Sequence, residues 1–364
     1  MELKSLSLVN FRSHRDAAYT FTKDVAVFTG PNGAGKTNVL DAIHYLTFCK
    51  GFLNPTDSQN IHLGEPFFLI EGKFKLNEKN EQITCGLKRG QTKIFKRNSK
   101  EYAKLSEHIG LFPLVLIAPT DIVLISGGSE ERRKFTDTVI SQFDRNYLEH
   151  LIRYNKILQQ RNAFLRQGQS DRSMLEVLNM QLCRYAPEIY EARKAFLNKI
   201  APLFSKYYQI LSSHSEEVSL VYDSGLNEYP MEDLLERSSE RDRVMQYTTE
   251  GIHKDDLEIR VNGFPLRRYA SQGQQKSILI ALKLAQFDVM AELKGIKPLL
   301  LLDDIFEKLD QERITALMTL VSQQHFGQIF ITDSHPERVT DILGSIDCPY
   351  DRFSIETLQQ TIQD

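Results

Sequence analysis

Gly30-Pro31-Asn32-Gly33-Ala34-Gly35-Lys36-Thr37-Asn38 is the stretch from which the rest of the chain is read. It satisfies G-x-x-x-x-G-K-[ST] at every fixed position. It follows the apolar run Val25–Thr29 and opens a helical pattern from about Lys36 to Cys49, the strand–loop–helix setting that gives this spacing its meaning. Glycines let backbone N–H groups turn inward around phosphates. The Lys36 ammonium is placed to reach the β- and γ-phosphates, and the Thr37 hydroxyl to bind Mg2+. A nucleoside triphosphate is therefore expected.

Two later stretches extend the pattern. Leu299-Leu-Leu-Leu-Asp303-Asp304 is an apolar strand ending in two carboxylates. It is expected to lie beside the loop's strand, with Asp303 holding Mg2+ directly or through water and Asp304 positioning the attacking water. Ala270-Ser271-Gln272-Gly273-Gln274-Gln275-Lys276-Ser277 leads into another helical pattern over 274–294. Taken alone it is a Ser-capped helix. A helix N-terminus with a Ser hydroxyl and a Gly N–H is also an anion site.

The remainder bounds the organisation. The chain has 364 residues, 41% hydrophobic and 26% charged, which suits two domains or one with a large insertion. Its apolar runs are too short to span a bilayer, and the N-terminus lacks the apolar block of a signal peptide. Cys49, Cys85, Cys183 and Cys348 show no C-x-x-C spacing, which fits a reducing cytoplasm and neither a disulfide framework nor a zinc site. With a net charge of −3, contact with nucleic acid has to come from a local patch. Short strand patterns fill the first third to about Ala118. From Gly127 to about Ser212 the texture is helical. Ser129 is an expected cap with Glu130 and Glu131 behind it, there is a break at 168–171, and prolines stand at 187 and 202. Strands then return, with a turn expected at Asn262-Gly263, and the end is α/β. The expected architecture is an α/β P-loop ATPase head built from 1–128 and 213–364, with an antiparallel-strand subdomain, and a helical lobe inserted at 129–212.

The loop, the Ser-Gln-Gly-Gln helix start and the acidic strand, in that order, resemble the ABC-type ATPase head. LSLVNFRSH (6–14), GPNGAGKTNVLDAIHYL (30–46), APTDIVLISGGSEERRKFTD (118–137), GIHKDDLEIRVNG (251–263) and YASQGQQKSILIALKLAQ (269–286) extend the likeness to the bacterial RecF family over essentially the whole chain. The Asp-Asp ending of the acidic strand also matches. SMC-like proteins share the head but carry far longer arms than 129–212 allows. The resemblance implies ATP with Mg2+ and weak, DNA-stimulated hydrolysis coupled to an ATP-dependent homodimer. In that dimer Ser271, Gln272, Gly273 and Gln274 cap the γ-phosphate held by a second copy. It implies a cytoplasmic, nucleoid-associated role at single-strand gaps and single-strand/double-strand junctions, on double-stranded and gapped DNA, with RecR and RecO, so that RecA is loaded. It further points to Arg12 near the phosphates, Asp310 and His335 at the dimer seam, and Gln59 as the Q-loop residue on the metal side. His335 stands apart from the usual pattern, because Thr332-Asp333-Ser334 separate it from the apolar strand. For DNA the richest patch is Lys88–Lys104, a hairpin with Lys88, Arg89, Lys93, Lys96, Arg97 and Lys100; Arg267-Arg268 is a second. An ABC-type ATPase of a defence or transport system remains the alternative.

Overall fold

The structure is a computed structural model that describes residues 1–54, 56–167, 172–212, 216–266, 271–308, 311–322 and 325–356. Strands β1 (Glu2–Phe11), β2 (His14–Thr20) and β3 (Val25–Thr29) lead into helix α1 (Lys36–Phe48). Then come β4 (Phe67–Leu76), β5 (Lys79–Lys88), β6 (Ile94–Arg97), β7 (Lys100–Glu101) and β8 (Leu114–Ile117). Helices α2 (Val123–Ser126), α3 (Ser129–Phe143), α4 (Arg145–Arg166) and α5 (Arg172–Leu211) precede β9 (Val218–Asp223), α6 (Met231–Arg237), α7 (Ser239–Met245), β10 (Asp256–Val261) and β11 (Phe264–Pro265). The chain ends with α8 (Gln272–Lys294), β12 (Leu299–Asp303), α9 (Gln311–Ser322), β13 (Ile329–Asp333), α10 (Pro336–Ser345) and β14 (Tyr350–Ser354). No described helix is long and apolar enough to cross a membrane.

Two compact units result: residues 1–121 with 290–364, and residues 122–289. The first holds two sheets. One is antiparallel, in the order β2-β1-β4-β5-β6-β7; the other is parallel, in the order β14-β3-β13-β12-β8. Helix α1 contacts β1, β4 and β5 of the one and β12 and β13 of the other. Its sequence explains this placement: Val39, Leu40, Ala42, Ile43, Tyr45 and Leu46 are all buried, so the helix is apolar on more than one face and has to be covered on more than one side. The uniformly buried strands β3, β12 and β13 are the apolar runs expected of a parallel sheet.

One expectation about this sheet is corrected. The acidic strand does not lie beside the loop's strand: β13 sits between them, pairing with β3 on one side and β12 on the other. Strand order is set by how the crossovers pack, and nothing local in the β12 sequence encodes its neighbour.

The second unit packs α3, α4 and α5 with the three-stranded sheet β11-β10-β9. It encloses the expected insertion 129–212 and also takes in 213–289, which the sequence reading placed in the head. Ion pairs between distant stretches account for the larger unit. The buried Arg193 guanidinium on α5 donates to Asp137 on α3 (2.8 Å), to Asp255 (2.9 Å) and to the Ile252 carbonyl (2.7 Å). Arg132 meets Asp256 in a bidentate pair, both bonds 2.7 Å. The SGGSEERRKFTD and GIHKDDLEIRVNG stretches are thus partners in one scaffold. Helix α5 runs through Pro187 and Pro202 without a break. Ala186, Ile189, Ile200 and Phe204 are buried around them, and that packing offsets the backbone bonds lost at proline. Ser129 is not the cap of α3; Gly128 takes that position and Ser129 is the first helical residue. The Asn262-Gly263 turn forms with φ of 50° and 80°, the signs a type I′ hairpin requires.

Each unit holds a neutral histidine with both ring nitrogens bonded. His108 donates from Nε2 to the Leu46 carbonyl (2.7 Å) and accepts from Tyr102 at Nδ1 (2.9 Å). His253 donates from Nε2 to the Thr248 carbonyl (3.0 Å) and accepts from Tyr154 at Nδ1 (3.0 Å). Burial pushes each pKa down to about 4. A depressed histidine pKa means that the unfolded chain takes up the proton first. The stability is therefore complete above the unfolded value of about 6.5 and is lost as pH falls toward 4. Urea unfolding at pH 7.5, 5.5 and 4.5 should show the midpoint falling steadily; an unchanged midpoint across that range would contradict this assignment.

Candidate functional site

The loop after β3 meets α1 at Gly35, which is left-handed at φ 108°. A side chain at Gly35 would strike Ser13 Oγ and His14, and one at Gly30 would strike the Ile355 carbonyl. Glycine is required at both positions, and the first contact shows what backs the loop. The β1–β2 turn lies against it, with His14 Nε2 donating to the Gly35 carbonyl (3.1 Å) and Asn38 Nδ2 donating to Ser13 Oγ (2.8 Å). Burial holds the His14 pKa below its ordinary value, so the ring supports the loop as a neutral donor.

Lys36 is buried, and its ammonium donates to the carbonyls of Gly30 (3.0 Å) and Pro31 (3.1 Å) and to Ser334 Oγ (3.3 Å). Ser334 in turn donates to Asn32 Oδ1 (2.5 Å). The Thr37 hydroxyl donates to Asp303 Oδ1 at 2.8 Å, and so does Thr332 on β13, also at 2.8 Å. Asp303 is 5% exposed, and burial raises its pKa above the ordinary carboxylate value although both hydroxyls act against the shift. A carboxylate so placed favours an adjacent cation. Among the described residues no group of three or more His, Cys, Asp or Glu could hold a metal. One hydroxyl and one carboxylate suit Mg2+, which takes few protein ligands and fills its octahedron from phosphates and water. The loop amides, Lys36, Thr37 and Asp303 therefore fit a magnesium nucleotide.

The other expected residues are distributed unevenly. Arg12 is left-handed at φ 54°, and its guanidinium lies 2.8 Å from the fully buried Asp41 carboxylate on α1. Asp41 also accepts from the Phe52 amide (2.6 Å). Gln59 is exposed on a short 3-10 turn, Asp57–Asn60, with no side-chain bond to Thr37 or Asp303. His335 caps α10 and is exposed; its Nδ1 accepts from Arg338 (2.7 Å), and Arg338 also binds Asp333 (3.0 Å). Ser334, the residue after β13, touches Lys36 in its place. Asp310 and Arg267-Arg268 lie outside the described residues. Ser271 and Gln274 form a capping box: the Gln274 amide donates to Ser271 Oγ (3.3 Å) and the Ser271 amide to Gln274 Oε1 (2.5 Å). Gln272 and Ser271 are exposed at that helix start. In the basic hairpin, Lys93 is spent on Asp57 (2.7 Å) and Arg97 on Glu81 (2.7 Å). Lys88, Arg89 and Lys100 are exposed and Lys96 half-buried.

Thr332, Ser334, Ser13 and His14 are site residues the sequence reading did not assign. A polar residue inside the apolar run QIFITD was the available signal for Thr332.

Residues 2–345 match the RecF/RecN/SMC N terminal domain family. The chain belongs to the RecF family. It is 46% identical over 359 residues to the DNA replication and repair protein RecF of Flavobacterium johnsoniae, covering 98% of this chain and 100% of that one. To RecF of Parabacteroides distasonis it is 48% identical over 356 residues, covering 98% of each. Among solved structures it is similar to the recombination mediator protein RecF-ATP of the RecFOR pathway, with TM-score 0.85, 30% identity and 92% of each chain covered. An Smc head domain from Pyrococcus furiosus shares the fold at 16% identity and TM-score 0.59. The α/β P-loop core, antiparallel sheet and helical lobe are those of the RecF and SMC heads.

The buried Arg12–Asp41 pair ties the β1–β2 turn of this RecF-family head to α1. Arg12→Ala should cost about 3 kcal/mol, because it leaves Asp41 buried and unpaired. Thermal unfolding of the variant at pH 7 checks this, and a melting temperature equal to wild type would refute it.

Proposed function

We propose that this chain is an ATP-dependent mediator of recombinational repair, acting as a DNA clamp that closes on ATP binding. The observation that carries the reading is the Thr37–Asp303 hydrogen bond of 2.8 Å, which brings the loop and the acidic strand to one point beside the Lys36 ammonium. ATP with Mg2+ is the fitting ligand: loop amides and Lys36 take the phosphates, and Thr37 and Asp303 hold the cation. Bound Mg2+ neutralises charge on the β- and γ-phosphate oxygens.

Asp304 follows Asp303 and is the residue to orient the attacking water. Its carboxylate is one methylene shorter than Glu and reaches less far. Turnover is therefore slow, well below the ~10 per second of a median enzyme, and hydrolysis times the release of the clamp. Ser271, Gln272, Gly273 and Gln274 cap the γ-phosphate of a second copy. This use is compatible with the capping box, since an exposed helix start still offers N–H groups to an anion. Arg12, Gln59, His335 and Asp310 are assigned no step; in the described geometry Ser334 is better placed than His335 to sense the loop.

The relatives' names support a role in DNA replication and repair, and the solved RecF-ATP structure supports the nucleotide. The expected DNA is gapped or duplex with a single-strand junction, and the expected partners are RecR and RecO, through which RecA is loaded. Lys88, Arg89, Lys96 and Lys100 are the hairpin charges open to a phosphate backbone; Lys93 and Arg97 are withdrawn from that role by their ion pairs. No base-reading motif is visible, so recognition is of backbone and structure.

Ser271→Arg places a long cation where the second copy's phosphate would sit. The variant should bind ATP like wild type and stay monomeric with it, as read by nucleotide titration and light scattering. ATP-dependent dimerisation in the variant would overturn the reading of that helix start.

A further inference from the structure

Strand β13 is where the two halves of the site meet, because it pairs with both β3 and β12. It is apolar from Ile329 to Ile331 and then presents Thr332, fully buried and in register with Asp303 on β12 and Phe28 on β3. Its one hydroxyl does two things. It donates to Asp303 Oδ1 (2.8 Å) and accepts from the backbone amide of Asp304 (2.9 Å).

The second bond matters because of the backbone at Asp304. The β12–β13 ladder ends at the Asp303–Thr332 pair, and the Asp304 amide just beyond it is bonded to the Thr332 hydroxyl. Asp304 is also left-handed, at φ 43°, a conformation few non-glycine residues hold without support. The Thr332 hydroxyl supplies that support from a rigid strand buried on both faces. Asp303, by contrast, keeps a second donor in Thr37 (2.8 Å). Removing the Thr332 hydroxyl thus takes one of two donors from Asp303 but the anchoring bond from the Asp304 amide.

We propose that Thr332 is a positioning residue: its hydroxyl, shared between the Asp303 carboxylate and the Asp304 amide, sets the backbone turn that aims the Asp304 side chain at the site. The inference rests on the reading of the loop and the Asp303-Asp304 pair as an ATP site. It adds that the cation-side carboxylate and the water-side carboxylate are held in register by a hydroxyl from a third segment. In this role Thr332 acts through Asp304.

The test compares Thr332→Val, which keeps the volume and removes the hydroxyl, with Thr332→Ser, which keeps the hydroxyl. Three quantities are read on the full chain: affinity for ATP, ATP-dependent dimer formation by sedimentation velocity, and single-turnover hydrolysis. Thr332→Val should bind ATP within about threefold of wild type and still dimerise. Its hydrolysis should fall roughly 10- to 100-fold, the scale expected when one hydrogen bond to a reacting group's support is lost. The dimer should persist longer in proportion. Thr332→Ser should restore hydrolysis to within about threefold of wild type. Wild-type hydrolysis in Thr332→Val would overturn the proposal. So would a serine variant as slow as the valine one, which would point to methyl packing, or a loss of ATP affinity as large as the loss of rate, which would point to uniform binding. Failure of the ATP reading itself would show separately, as a wild-type chain that does not bind ATP in the same titration.

Discussion

The hydrogen bond from Thr37 to Asp303 joins residues from the two ends of the chain at 2.8 Å, and much of the first unit is arranged to make it. Thr37 is fixed by the loop's entry into α1, and α1 is fixed because its buried side chains face two sheets. Asp303 is fixed at the end of a strand buried along its whole length. Between them β13 adds Thr332 to the same carboxylate oxygen. Polar groups in such a place are costly unless each finds a partner, and the three segments satisfy one another. Burial raises the pKa of Asp303 against the donation from Thr332 and Thr37, and an adjacent cation would favour its charged form.

A second constraint runs through both units: buried charges do the joining that a larger apolar core does elsewhere. Arg12 ties the β1–β2 turn to α1 through Asp41, and Arg193 ties α5 to α3 and to the segment before β10. Such pairs contribute little net stability, but breaking one leaves an uncompensated charge. They therefore specify which segments meet. In the second unit they bring the two family stretches that carry Arg132, Asp137, Asp255 and Asp256 together, which gives those stretches a scaffolding role.

What the sequence showed and what it hid divide along physical lines. The phosphate loop was legible because its chemistry needs fixed residues at fixed spacing, and α1, β12 and the Asn262-Gly263 hairpin were legible because periodicity or turn chemistry is local. The place of β13 between β3 and β12 was not, since strand order depends on packing between segments far apart in the chain. Thr332 and Ser334 were passed over because they were read as residues displacing His335 from the strand; in the fold they are the polar groups that face the site. The β14 strand is short and lacks strong alternation, and α10, which has Pro336 as its first residue, was not read from the sequence although proline suits that position. Ser129 failed as a cap because Gly128 stands one residue earlier. Lys93 and Arg97 looked available in the sequence, where their partners Asp57 and Glu81 lie outside the hairpin or on its far strand.

In the proposed clamp one chain carries half of each ATP site, and ATP completes the sites by pairing two copies on DNA. Sedimentation velocity of the purified chain with a fluorescent gapped duplex, with and without ATP, tests it most directly. The expected result is a monomer without ATP and a DNA-bound dimer with it. A chain that binds ATP yet remains monomeric and leaves the duplex free would contradict it.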